Sequence, residues 1–117
     1  MAIFSSHLLN SLDGTHANNV KVTIFQINLK GERKIFFDTK TDENGRILKE
    51  FDLTNNDLNC DYEMNIEIRD YFLKEYKIET IKIVNEILVK FKMLENNKKY
   101  HIPIIVSPNS YSVWWSK

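Results

Sequence analysis

Alternation with a period of two residues is the feature that most narrows what this chain can become. In Tyr62-Glu63-Met64-Asn65-Ile66-Glu67-Ile68-Arg69 every second residue is apolar and the residues between are polar. A strand with one face on a core and the other in water has this pattern. Ile87, Val89, Phe91 and Met93 repeat it against Lys90 and Lys92, and Val20, Val22 and Ile24 repeat it against Lys21 and Thr23. Helical spacing is scarce. Only from Asp70 to Lys77 do Tyr71, Phe72 and Tyr76 fall at intervals suited to a helix of about two turns.

Turn chemistry separates the strand-like runs. Asp13-Gly14 closes the first. Asn44-Gly45 lies between Lys34-Ile35-Phe36-Phe37 and Ile47-Leu48-Lys49-Glu50-Phe51 and is the strongest short hairpin signal in the chain. Asn96 and Asn97 divide the Phe91 run from the Tyr100 run, and Pro108-Asn109 divides Ile104-Ile105-Val106 from Tyr111-Ser112-Val113-Trp114. The expectation is an all-β fold of about eight strands with one short helix. Packing the one-sided strands as two antiparallel sheets buries their apolar faces in a sandwich. At 117 residues, the whole of 1–117 suits a single domain, large enough to fold without metals or disulfides.

Charge narrows the partners. Lysine plus arginine and aspartate plus glutamate number 16 each, so no net field recruits nucleic acid or an anionic membrane. The single cysteine, Cys60, excludes a disulfide within the chain and fits a reducing compartment; with no basic neighbour in sequence it is not expected to act as a nucleophile. The opening Met1-Ala2-Ile3-Phe4-Ser5-Ser6-His7 lacks the basic head and apolar run of a signal peptide. No apolar stretch approaches the length of a membrane span. The expected location is cytoplasmic.

The residues that could carry chemistry are few. In Tyr100-His101-Ile102-Pro103-Ile104-Ile105-Val106, alternation sets Ile102, Ile104 and Val106 on one face and His101, Pro103 and Ile105 on the other. If the first row fills the core, His101 faces outward. Pro103 cannot donate to a sheet ladder, so an edge or irregularity is expected there. His7 lies in a strand beside the hydroxyls of Ser5 and Ser6, and Arg46 begins the strand after the Asn44-Gly45 turn. Imidazole titrates near neutrality and is the usual base for activating water. An arginine nearby would favour an anionic substrate oxygen. The residues alone do not place these side chains together, and three unrelated surface groups remain an open reading. No set of histidines, cysteines and acids has metal-ligand spacing, so no cofactor is expected.

Longer blocks surround these residues. Ser6-His7-Leu8-Leu9-Asn10 with Gly14-Thr15-His16-Ala17, then Thr41-Asp42-Glu43-Asn44-Gly45-Arg46, then Tyr100-His101-Ile102-Pro103-Ile104-Ile105-Val106-Ser107-Pro108-Asn109-Ser110-Tyr111-Ser112 resemble, in order and spacing, the 5-hydroxyisourate hydrolases of the transthyretin-like superfamily. The resemblance implies two four-stranded sheets and a homotetramer built as a dimer of dimers, with active sites in a channel between dimers. It also implies metal-free opening of a ring amide in 5-hydroxyisourate, a product of urate oxidation. His7, Arg46 and His101 match the family's catalytic trio. The ending, Tyr111-Ser112-Val113-Trp114-Trp115-Ser116-Lys117, departs from the family's Tyr-Ser-Thr-Tyr-Arg-Gly-Ser. Ser112, Trp114, Trp115 and Lys117 are the candidates for substrate contact there. His16 stands where the family has a proline and reads as a solvated loop residue. The altered ending also allows a noncatalytic small-ligand-binding protein, or a hydrolase of a related heterocycle.

Overall fold

The computed structural model describes residues 1–76 and 85–115. Among them are eight strands: β1 (Ala2–Asn10), β2 (Lys21–Ile27), β3 (Arg33–Lys40), β4 (Arg46–Phe51), β5 (Asp61–Ile66), β6 (Ile87–Phe91), β7 (Lys99–Val106) and β8 (Tyr111–Val113). Two helices accompany them, α1 (Asn55–Leu58) and α2 (Ile68–Tyr76). The strands form two four-stranded sheets, ordered β4-β1-β7-β8 and β3-β2-β5-β6. The expected transthyretin-like sandwich is the observed one.

Alternation drives the assembly. Phe4 and Leu8 of β1, Val22 and Ile24 of β2, Met64 and Ile66 of β5 and Ile104 of β7 all turn inward and lose contact with water. Burying a side chain of this size contributes roughly 1.5–3 kcal/mol. The stacked rings of Phe4 and Phe91, 5.2 Å apart, join the two sheets across the core. Two polar residues share the inner face of β1, and each is satisfied, as buried polar groups must be. The Ser6 hydroxyl donates to the Ile102 carbonyl at 2.7 Å. The Asn10 amide donates to the hydroxyls of Tyr71 (3.1 Å) and Tyr76 (2.6 Å), fastening α2 to the end of β1.

Three expectations are corrected in detail. First, the sandwich is not purely antiparallel: β1 and β7 are neighbours in one sheet and run parallel, a direction open to strands that no tight turn joins. Second, Asn44-Gly45 makes a tight turn, with the Gly45 N–H on the Asp42 carbonyl at 2.9 Å, but not a hairpin. β3 pairs with β2 and β4 with β1, so the chain crosses between sheets at this corner. Buried Thr41 secures the crossing, its hydroxyl donating to the Ala17 carbonyl (2.7 Å) and accepting the Val20 N–H (2.9 Å). Third, among the described residues a further helix, α1, accompanies the expected one. α1 is a single turn held by a capping box between Thr54 and Asp57, too short to show periodicity. α2 starts at Ile68, inside the run read as strand, because Ile68 continues the 62-64-66 alternation and also begins the 68-71-72 stripe that α2 buries. Lys77, the last residue of the expected helical segment, lies outside the described residues.

Pro103 is buried and sits within β7, not at an edge strand. The irregularity expected beside it is present: the β7–β8 ladder stops at Ile104–Val113, and beyond it only the Trp114 N–H reaches the Pro103 carbonyl, at 3.3 Å.

Gly45 is the tightest point of the corner. Its φ is +71°, and a Cβ there would stand 2.5 Å from the Leu8 carbonyl oxygen and 3.2 Å from both the Ala17 nitrogen and the His16 Cβ. Gly14 shares the left-handed conformation (φ +75°) but has open space around it. Gly14→Ala should therefore cost only the conformational penalty of about 1–2 kcal/mol. Gly45→Ala adds the backbone clash, for a loss of about 3 kcal/mol or more. Urea midpoints for the two variants, with the denaturant slope held as a check, test this; equal losses would show that the corner yields.

Candidate active site

The outer face of the sheet β4-β1-β7-β8 gathers the candidate residues. In β1, Ala2, Phe4, Ser6, Leu8 and Asn10 point inward and Ile3, Ser5, His7 and Leu9 share the outer parity. Register does the rest. His7 lies directly opposite Arg46 on β4 and level with Pro103 on β7. Ser5 lies level with His101. Side chains opposite one another across an antiparallel pair have Cβ atoms roughly 4.5–5.5 Å apart. The structure thus brings His7, Arg46 and His101 to one patch of one surface, His7 and His101 half-buried and Arg46 exposed.

Their electrostatics are coupled. The pKa of His7 is lowered from histidine's usual 6.5, first by burial, then by the Arg46 charge and by His16, with a smaller contribution from His101. His101 is also lowered, by burial, then by Lys99 and Arg46. Each change disfavours the imidazolium, so both rings are neutral at neutral pH and able to accept a proton.

Hydrogen bonds orient the rings. His101 Nδ1 lies 2.8 Å from the Ser5 hydroxyl, and a backbone hydrogen bond at Ser5 raises the His101 pKa. Ser5 thereby holds the His101 ring by its Nδ1 edge. His7 Nε2 lies 2.8 Å from Nδ1 of His16, and the backbone of Asn44 opposes the fall in His7's pKa. Asp42 anchors the turn that delivers Arg46: one carboxylate oxygen accepts the N–H groups of Asn44 and Arg46, each at 2.9 Å. The Arg46 N–H is the main reason its pKa falls.

The other expected contact residues are dispersed. Ser112 is exposed and level with Ile105, on the histidine-bearing face but toward the β8 edge. Trp114 is level with Pro103 through its N–H. Trp115 turns the other way: its ring stands edge-on to Tyr100, centroids 5.8 Å apart, and Tyr100 belongs to the inner face. Val89, Phe91, Ile102 and Val113 form a largely apolar groove with the two tryptophans, with Lys90 also lining it. Lys117 lies outside the described residues. Two residues at the site were not expected to take part, Ser5 and His16. Ser5 shares the outer parity with His7, but only the β1–β7 register reveals its partner. His16 is exposed, as a solvated loop residue would be, yet it bonds His7. Among the described residues no group of three or more His, Cys, Asp or Glu side chains is placed to hold a metal ion, and no helix is long and apolar enough to cross a membrane.

Comparison with known proteins identifies relatives of the chain. Residues 4–115 match the HIUase/Transthyretin family. The chain is 28% identical over 111 residues to a 5-hydroxyisourate hydrolase of Halalkalibacterium halodurans, covering 94% of this chain and 93% of that one. It is 24% identical over 118 aligned positions to a 5-hydroxyisourate hydrolase of Ralstonia nicotianae, covering 97% of each. Among solved structures, the Klebsiella pneumoniae 5-hydroxyisourate hydrolase shares the fold with a TM-score of 0.75 at 20% identity, over the full length of both. An (S)-allantoin synthase shares it with a TM-score of 0.82 at 18% identity; this chain spans 44% of that longer one.

With only three histidines in the chain, imidazole proton spectra give a direct test. His7 and His101 should titrate below 6.5. Arg46→Met removes a positive charge acting on both, so both midpoints should rise. Lys99→Met should raise His101 alone. An Arg46 variant that leaves either midpoint in place would show that the guanidinium lies away from that ring.

Proposed function

The chain belongs to the HIUase/Transthyretin family, and we propose that it hydrolyses 5-hydroxyisourate, opening a ring amide on the route of urate breakdown without a metal ion. The observation that carries this reading is the convergence of His7, Arg46 and His101 on one sheet face. The two imidazoles are neutral, and a positive guanidinium stands beside them.

The chemistry follows from those properties. His7 and His101 position the attacking water, and an imidazole nitrogen takes its proton as the oxygen bonds to the amide carbonyl. The carbonyl electron pair moves onto oxygen, where Arg46 stabilises the developing negative charge. The tetrahedral intermediate collapses, the carbon–nitrogen bond breaks, and the stored proton passes to the departing nitrogen. No proton is gained or lost by the enzyme over the cycle. The bond between His101 Nδ1 and the Ser5 hydroxyl fixes the ring that helps to position the attacking water. Ser112 and Trp114 border the same face toward β8 and are assigned to substrate contact, with Lys117 beyond them. Trp115 follows as a border of the apolar groove.

We place the working site between subunits of a homotetramer, in the cytoplasm. The surface supports association: Leu48, at 67% exposure, lies level with Ser5, and Ile105 of the same face is also exposed. Apolar side chains on a polar face of this kind commonly mark a subunit contact. The apolar, tryptophan-bordered groove favours a second reading, a ligand-binding protein without turnover.

Freshly generated 5-hydroxyisourate, followed by its ultraviolet decay, tests the proposal. The wild-type protein should accelerate the decay, and His101→Ala should lower kcat by about 10²–10⁴-fold. Because the His101 pKa lies below 6.5, a base that must be neutral loses activity only as pH falls through that lowered value. The plateau of kcat/KM should therefore extend to the acid side of 6.5. Saturable binding with decay at the spontaneous rate would support the ligand-binding reading instead.

A further inference from the structure

His16 occupies the loop that follows β1. The Asn10 N–H bonds to the Thr15 carbonyl at 2.8 Å and the Ala17 N–H to the Leu8 carbonyl at 3.0 Å, so the loop folds back against the end of β1, with an isolated bridge between Leu9 and His16. β4 covers β1 from Ala2 to His7, and the loop continues along the same edge. His16 is thereby a diagonal neighbour of His7. Gly45 makes room for it, since a side chain at Gly45 would press on the His16 Cβ. The two rings lie 4.9 Å apart between centroids, tilted by 32°, with His7 Nε2 and His16 Nδ1 at hydrogen-bond distance (2.8 Å).

One ring must donate in this bond and the other accept. With His16 Nδ1 as the donor, Nε2 of a neutral His16 is the free acceptor of the pair, on an exposed side chain. The nitrogen that His7 would present to substrate is already occupied.

We propose that His7 and His16 form a two-imidazole proton relay, whose substrate-facing acceptor is Nε2 of His16. This rests on the hydrolase reading above. In the relay step a proton from the attacking water bonds to His16 Nε2, the His16 Nδ1–H bond breaks, and that proton bonds to His7 Nε2. The positive charge comes to rest on His7, whose Nε2–H then bonds to His16 Nδ1. The reverse passage returns one proton to the departing amide nitrogen. The charged and titratable groups facing the pair are Arg46 on β4, His101 on β7 and Asp42 in the turn before β4. Arg46 and His101 oppose the charge on His7, and the Asp42 carboxylate favours it, which keeps the proton transient.

Two substitutions at this exposed position separate a relay from a structural contact. His16→Gln can still donate an amide N–H to His7 Nε2 but cannot pass a proton. His16→Ala uncovers His7 Nε2, which then faces substrate itself. The relay predicts that Gln lowers kcat about tenfold or more, with KM within about twofold of wild type. It also predicts that Ala retains more activity than Gln. A merely structural role predicts the opposite order, because Gln preserves the hydrogen bond. Wild-type kcat in the Gln variant, or Gln equal to or better than Ala, overturns the relay while the hydrolase reading stands. If the wild type shows no hydrolysis, the hydrolase reading falls and the catalytic relay with it. Nitrogen-15 imidazole spectra then still judge the pair: His7 held as the Nδ1–H form, and altered by His16→Ala, supports the bond, whereas a His7 indifferent to His16 removes it.

Discussion

The hydrogen-bonded register of β1 is the constraint on which the rest of the site depends. This strand bonds to β4, to β7 and to the 15–17 loop. It sets Arg46 opposite His7, His101 level with Ser5, and His16 beside Leu9. A slip of one residue would turn Phe4 and Leu8 to solvent and His7 into the core. The apolar inner face opposes that slip with several kcal/mol, so the energy that aligns the outer side chains comes from residues that never meet a substrate. Gly45 completes the arrangement by letting the corner after β3 close onto Leu8 and Ala17.

Neutral imidazoles beside an arginine are a consequence of the same geometry. A lone exposed histidine would be partly charged near neutrality. Here burial lowers both His7 and His101, and Arg46 lowers them further. The guanidinium thus has two effects: it attracts negative charge on a substrate, and it keeps its neighbours unprotonated and ready to act. The Ser5 hydroxyl and the His16 ring then hold His101 and His7 in place.

Much of this was legible in the amino-acid order, and the part that was not has a common cause. Two-residue alternation exposed most of the strands, the inward row of Ile102, Ile104 and Val106, and the outward placing of His101. It could not show which strands are neighbours. That is why Asn44-Gly45 read as a hairpin, although its flanking strands belong to different sheets, and why Ser5 was not linked to His101. Ile68 satisfies both a strand pattern and a helix pattern, so the change of structure after Ile66 left no mark. His16 read as a solvated loop residue because a fold-back through backbone bonds at Leu8 and Asn10 has no side-chain signature.

The pleat of β1 sorts its residues into two classes that answer to different demands. Ala2, Phe4 and Leu8 answer to packing, whereas Ser5 and His7 answer to what approaches from outside. Substitutions in one class leave the other nearly untouched, so such a sheet can drift toward new chemistry without first surrendering its fold. An (S)-allantoin synthase that keeps the same sandwich at 18% identity illustrates how far a scaffold of this kind can diverge in sequence while its architecture persists.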